Sequence, residues 1–172
     1  MSANPNNQFF IPPLQPLQHT SRQLVFNTLF QYLQNCPSPT NVPWKTFSQS
    51  LEQWDAVPAA NQPAMYLRRG PQIAEQKHAF GVTKWTFKVT VWVYFRTENV
   101  KTTSTYPDQL TDQFIDSFEQ LFQVQTQPAP FTLSINNLGG VVKNIWISGM
   151  IFSDPGLTDH QAVIVVPLDI EL

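Results

Sequence analysis

The chain has 172 residues, which is enough for one domain with a substantial core and too few for two full domains. Only 13% of the residues are charged, about half the usual share, and the net charge of -2 argues against broad nucleic-acid binding, which needs concentrated Lys and Arg. Because Cys36 is the single cysteine, an intramolecular disulfide is excluded. The sequence has no long apolar run, so we expect no membrane span and no signal peptide.

Residues 1–18 are predicted to form an extended arm, because prolines lie among Asn and Gln throughout this segment. The apolar triplet Phe9, Phe10 and Ile11 interrupts its polarity, and either docks on a neighbouring molecule or packs against its own domain. Residues 19–172 are predicted to form a single domain. Amides replace charge over the whole chain, with 18 Gln and 11 Asn, which is compatible with close association among like subunits in the cytosol.

A first helix is predicted to begin at Thr20, which together with Gln23 fits a capping box. Apolar residues then recur at helical spacing, and Pro37 ends the helix, with Cys36 near its end as an inert thiol. Two short strands are predicted next, at residues 47–54 and 64–69.

The polar stretch at residues 70–83 is predicted to be a long loop. Four basic residues cluster around it: Arg68, Arg69, Lys77 and Lys84. Arg68, Arg69 and Lys77 are candidates for lining a channel through which DNA passes. A solvated hairpin tip explains the same residues.

Residues 84–96 alternate strictly between two faces, which predicts a β-strand roughly 40 Å long with one buried face. The apolar face contains Trp85, Phe87, Val89, Val91, Val93 and Phe95. The opposite face also carries aromatics, Trp92 and Tyr94, which indicates either a contact with a partner or cross-strand pairs within the sheet.

A second helix is predicted to begin within residues 104–107, since Pro107 suits a first helical position. Leu138-Gly139-Gly140 predicts a turn, followed by a strand at residues 141–152, a second turn at 154–156 and a last strand at 162–170. Pro167 predicts an edge position or a bulge for that last strand. The fold class is therefore α+β, a mainly antiparallel sheet of about five strands with two helices packed on one face.

No arrangement typical of a catalytic, cofactor or metal site is found. Asp154, Asp159 and His160 share one loop, for which an acidic surface turn is favoured over a cation site or a hydrolase. The glycines of Gly139-Gly140 precede a strand, whereas phosphate-binding glycines precede a helix. We therefore expect a protein without a cofactor that is not an enzyme.

From about residue 20 onward, the sequence resembles the tail terminator proteins of tailed bacteriophages, the family of minor tail protein U and related tail-completion proteins. The resemblance rests on Arg22 and Leu29 in the first helix, residues 63–67, the long alternating strand, Tyr106-Pro107, Leu138-Gly139-Gly140, Ile147-Ser148-Gly149 and the final apolar strand. The chain departs from the family pattern in its proline-rich arm and its low charge.

The resemblance implies an α+β domain that assembles as a ring, typically a hexamer, at the head-proximal end of the tail tube. Such a ring stops tube polymerisation and provides the surface to which the head attaches. The implied partners are further copies of the chain, the major tail tube protein and a head-completion or neck protein, with at most non-specific contact with passing DNA and no membrane. The implied location is the virion, after assembly in the host cytoplasm. Trp92, Tyr94, Phe9 and Phe10 are the candidate contacts with other subunits or the tube.

Three alternatives remain open at this point. A neck or head-tail connector subunit, or a tail-tube protein, has similar size and pattern. A small module could instead bind a host protein through its sheet edge or arm. A hydrolase whose catalytic groups are dispersed along the sequence is the third.

Overall fold

The computed structural model describes residues 21–40, 42–76, 81, 83–97, 106–122, 125–126, 133–134, 137–156 and 160–172. It contains two α-helices, α1 (Arg22–Gln34) and α2 (Pro107–Phe122). The strands are β1 (Thr46–Ser48), β2 (Ala64–Glu75), β3 (Lys84–Arg96), β4 (Gln125–Thr126), β5 (Leu133–Ser134), β6 (Asn144–Ile147), β7 (Phe152–Asp154) and β8 (Gln161–Glu171). The arm residues 1–18, including Phe9 and Phe10, lie outside the described residues.

Six strands form one sheet in the order β1-β2-β3-β8-β6, with β7 also paired to β8. The β1–β2 pair is parallel and the other pairs are antiparallel. Strands β4 and β5 pair separately. The predicted α+β class with a mainly antiparallel sheet is confirmed.

The core lies between one face of this sheet and both helices, because alternate residues of β3 and β8 present branched and aromatic side chains to the helices. The helices contribute Val25, Phe26, Leu29, Leu33, Phe114 and Phe118. Tyr32 connects the two helices, since its Oη donates a hydrogen bond to the carbonyl of Leu121 at 3.1 Å. Both helices therefore pack on the same face, which we call the helix face.

The long alternating strand is confirmed as β3, which has 13 residues and pairs with β2 on one side and β8 on the other. Its register with β8 runs from Thr86 opposite Glu171 to Arg96 opposite Gln161 without a shift. The odd-numbered residues of β3 face the helices and the even-numbered residues face away. We call that second surface the opposite face.

Two predicted boundaries on the N-terminal side are wrong. The first strand ends at Ser48, because the Ser48 hydroxyl accepts the N–H of Ser50 at 3.0 Å and turns the chain out of the sheet. The second strand does not end at Arg69. Its pairing shifts between Arg69 and Gln72 and then resumes as far as Glu75, so residues 70–75 of the predicted loop belong to the strand.

The capping box is not seen. Thr20 lies outside the described residues, Ser21 is the N-cap without a side-chain capping bond, and the Gln23 amide donates to the side chain of Asn27 at 2.8 Å.

The predicted strand at 141–152 is two strands, since residues 148–151 interrupt it and Gly149 there has φ +78°. Pro167 lies opposite this interruption, and its carbonyl accepts the N–H of Ser148 at 3.0 Å. The N–H and C=O groups of one strand residue point toward the same neighbouring strand. Because the Pro167 carbonyl faces Ser148, its missing N–H also faces the interruption between β6 and β7, and β3 loses no hydrogen bond. The strand is central, so of the two predicted alternatives for Pro167, an edge position or a bulge, the edge position is wrong.

Candidate functional site

The outer edge of β2 is paired only at its beginning. Strand β1 covers Ala64 to Tyr66, and no strand among the described residues pairs with the edge from Leu67 to Glu75. The side chains change at the same point, from four buried residues to residues that are exposed or half-buried. Unpaired main-chain donors and acceptors along such an edge can pair with a strand of another chain.

A bulge divides this free edge into two short pieces. Gly70 approaches β3 so closely that an added Cβ would lie 3.1 Å from the Cβ of Lys88 and 3.2 Å from its carbonyl oxygen. Pro71 supplies no N–H and therefore cannot donate to an added strand. Bulges and prolines limit uncontrolled edge pairing, so the edge favours a specific partner over general aggregation. The Gly-Pro dipeptide was the sequence signal for this bulge.

The predicted basic cluster is not a single surface. Arg68 pairs with Thr90 on the opposite face, whereas Arg69 pairs with Val89 and lies on the helix face. The Arg69 guanidinium lies 4.3 Å from the ring centroid of Phe26 and donates to the Gln23 amide oxygen. Lys77 lies outside the described residues. Because neighbouring strand residues point to opposite faces, Arg68 and Arg69 cannot line the same channel wall.

A second arginine ties the start of α1 to the hairpin. The guanidinium of Arg22 lies 4.9 Å from the ring centroid of Trp85, and its Nε donates to the side-chain oxygen of Gln72. Together with Arg69, this contact holds the outer part of β2 against α1. The sequence does not indicate this role for either arginine, since both contacts join residues that are distant in the sequence.

Residues 49–62, which we call the cover segment, lie over one half of the opposite face. Val57 of this segment is buried against Tyr66 and Tyr94, and the Tyr94 Oη donates to the carbonyl of Glu52 at 3.1 Å. Gln161 donates to the carbonyl of Trp54. These contacts close that half of the sheet with the chain's own residues.

Tyr94 is only 1% exposed beneath the cover segment, so the prediction that it contacts another subunit is wrong for this structure. Burial raises its pKa to about 12, with a smaller contribution from Tyr66. Trp92 is half-buried at the margin of the covered half, with its ring 6.5 Å from that of Tyr94. Its predicted contact with another chain stays a prediction, and cross-strand aromatic packing is also present.

Two buried polar atoms under this margin form no hydrogen bond with any described residue. They are the Tyr66 Oη and the Trp92 Nε1, whose residues are direct neighbours across β2 and β3. Burial raises the pKa of Tyr66, and the nearby Glu52 carboxylate adds to the effect. A buried polar atom without a partner loses its hydration without compensation, so these two groups weaken the packing of this half.

The other half of the opposite face is uncovered by the described residues, and we call it the open face. Its side chains are Thr86, Lys88, Thr90, Trp146, Phe152, Val165, Pro167 and Asp169. Phe152 is 57% exposed and the others are half-buried. The mixture of aromatic, aliphatic and polar groups is typical of a protein contact surface.

The charges on the open face are paired. Lys88 Nζ lies 3.2 Å from both carboxylate oxygens of Asp169, and the Ser148 hydroxyl donates to the same carboxylate at 2.7 Å. At the end of the sheet, Lys84 Nζ lies 2.9 Å from Glu171. Arg68 lies opposite Thr90 at the β2 edge and adds an exposed cation to this side, so an uncharged or acidic surface can approach it at a low electrostatic cost.

The residues that the sequence offers as candidates for catalysis are dispersed or take part in turns. Asp154 accepts the N–H of Gly156 at 2.9 Å, as a turn requires, and Asp159 lies outside the described residues. Within the described part of the chain, no group of three or more His, Cys, Asp or Glu could hold a metal ion. Cys36 is buried, which raises the pKa of its thiol to about 12, so the thiol is protonated near neutral pH and reacts slowly.

None of the known protein-family models matches this chain, and no curated protein matches it. Among the described residues, neither helix is both long and apolar enough to span a bilayer.

Proposed function

We propose that the protein is a structural subunit of a bacteriophage tail, a tail terminator that forms a ring at the head-proximal end of the tail tube. In the virion it stops tube polymerisation and presents the surface to which a head-completion or neck protein attaches. The proposal joins the sequence resemblance to the two surfaces described above, the free edge of β2 and the open face. It requires no bond-making chemistry.

The free edge of β2 is the observation that carries this proposal. The sheet ends on one side in that edge and on the other in the short strands β6 and β7, so its two sides differ. Contacts between unlike sides of identical subunits are head-to-tail, and a head-to-tail contact closes into a ring when its rotation allows. Six copies is the number that the family resemblance implies.

Ile73 offers a test of this contact, because it lies beyond the bulge on the side of the open face and is 39% exposed. Substitution Ile73→Lys places a charge at the proposed interface and should weaken self-association about tenfold or more. Tyr106→Lys is the matched control, because Tyr106 is an exposed aromatic at the start of α2.

The experiment measures the mass of the purified protein by light scattering over a range of concentrations and counts rings by electron microscopy. The same preparation is then added to growing tail tubes, and tube lengths are compared with and without it. We expect rings or tube-bound caps, fewer of them for Ile73→Lys and the same number for Tyr106→Lys. A protein that remains monomeric and leaves tube growth unchanged overturns the proposal.

A neck or connector subunit is the nearest alternative, since it would use the same surfaces. It predicts rings that bind the head-completion protein and leave tube growth unaffected. A tail-tube protein predicts long polymers. A host-protein binding module predicts a monomer whose free β2 edge accepts one extended peptide.

A further inference from the structure

A cleft lies at the end of α1, on the path from the helix to β1. Its volume is about 510 Å³, and its lining consists of Gln34, Cys36, Pro37, Ser38, Val42, Pro43, Trp44 and Phe47. None of these residues is charged. A cleft of this size is within the range of sites that hold one or two large apolar side chains.

One wall of the cleft is held rigidly. Trp44 Nε1 donates to the carbonyl of Cys36 at 2.6 Å, and its ring packs edge-on against Phe114 of α2 at a centroid distance of 6.2 Å. The rim is apolar, because Val42 is 44% exposed. A preformed wall reduces the entropy lost when a partner binds.

The chain itself contains a segment that matches this cleft. Residues 1–18 hold no Asp, Glu, Lys or Arg, and their one run of large apolar side chains is Phe9, Phe10 and Ile11. An uncharged segment enters an uncharged cleft without the desolvation cost of a side-chain charge. The aromatic rings are large enough to serve as anchors.

The length of the arm also fits. The helix α1 has 13 residues and is therefore about 20 Å long, and the cleft lies at its far end. The chain makes 11 residue-to-residue steps from Phe10 to Ser21, which span roughly 34 Å when extended. The arm can therefore run back along the outer surface of α1, where Leu24 is 51% exposed, and reach the cleft.

We propose that the Phe9-Phe10-Ile11 triplet docks in the cleft of its own chain. The arm of a second copy has the same chemistry, but the tether gives the chain's own arm an effective concentration in the millimolar range. The free edge of β2 and the open face, on which the proposed tail function depends, take no part in this contact, whereas the candidate contact of Phe9 and Phe10 with other subunits or the tube would be replaced by it. The cleft is then the binding site of the arm.

Cys36 provides a site-specific readout, because it lines the cleft and is the single cysteine of the protein. The experiment measures the rate at which the full chain reacts with a disulfide reagent such as Ellman's reagent. The test variant is Phe9→Ser with Phe10→Ser. The control is Asn6→Ser with Asn7→Ser, which alters the same arm and leaves the triplet intact.

We expect the test variant to react about tenfold faster or more, since burial of one phenylalanine supplies at least that factor. The control should react at the wild-type rate. Val42→Gln at the exposed rim should also speed the reaction, and its combination with the arm variant should add little further, because both changes release the same contact. Urea unfolding checks that every variant is folded.

Equal rates for the wild type and the arm variant would overturn the proposal. Protection that disappears on dilution of the protein would also overturn it, since the occupant would then be the arm of a second copy. Additive effects of the rim and arm variants would place the triplet elsewhere.

Discussion

Alanine substitutions at two glycines with the same φ distinguish two destabilising effects, the strain of a left-handed residue and a steric clash of the added Cβ. Gly139 and Gly156 both have φ +69°, a conformation that L-residues adopt with strain. An added Cβ at Gly139 meets nothing within 4 Å, whereas at Gly156 it would lie 2.4 Å from the carbonyl carbon of Gln161 and 2.7 Å from the nitrogen of Ala162. These are main-chain atoms at the start of the central strand β8, so they cannot move without disturbing its pairing with β3.

The substitution Gly139→Ala should cost about 1 kcal/mol, the left-handed strain of ~1–2 kcal/mol less the entropy that alanine removes from the unfolded chain. Gly156→Ala should cost about 1–3 kcal/mol more, which is the typical penalty of forcing extra atoms into a packed region. With a urea m-value of ~2 kcal/mol/M, the midpoint for Gly156→Ala should lie about 1 M below that for Gly139→Ala. Equal midpoints for the two variants would refute the steric argument.

The other predictions concern the opposite face and the buried thiol. Tyr66→Phe should leave the free energy of unfolding unchanged or raise it, because the buried Tyr66 hydroxyl has no partner among the described residues. Tyr94→Phe removes a hydrogen bond and should cost ~1 kcal/mol. Urea unfolding of both variants measures these changes, and a larger loss of stability for Tyr66→Phe contradicts this reasoning. Burial raises the pKa of Cys36 from 9.0 to about 12, so the folded protein holds this proton more tightly than the unfolded chain, and stability present below about pH 9 should be lost as the pH rises toward 12. Cys36→Ala should lessen that decline in unfolding midpoints, and an unchanged slope counts against the shift. Asp169→Asn should cost no more than ~1 kcal/mol by removing the ion pair with Lys88, and the cost should shrink in high salt; a salt-independent loss would indicate that packing dominates.

The sequence predicted elements well where a periodic pattern was long. The alternation of β3 and the apolar stripes of both helices specified which residues face the core. These residues form the core between the helix face of the sheet and the two helices. The free edge of β2 was less visible, because Gly70 after residues 64–69 predicts the end of a strand. The ladder resumes beyond the bulge, since four further pairs with β3 stabilise the outer part of the hairpin.

The candidate contacts were harder to predict than the fold. Trp92 and Tyr94 share a face and a pattern, yet one lies at a margin and the other is fully covered. Phe152 and Trp146 were not predicted as contacts, because the sequence predicts one strand at residues 141–152, whereas the structure divides it into the two short strands β6 and β7. Their common face became apparent only through their pairing with Val165 and Asp169 of β8.

The local periodicity of apolar and polar residues therefore determined the helices, the long strand, and which side chains lie on each face of that strand. Successive strand residues point to opposite faces whatever surrounds them, so this information is contained in neighbouring residues. Only the tertiary structure decided that residues 49–62 cover half of the opposite face, that β8 is central and that no described strand pairs with the outer edge of β2 beyond Tyr66. Each of these depends on contacts between residues far apart in the chain, and such contacts are selected by the packing of the whole domain.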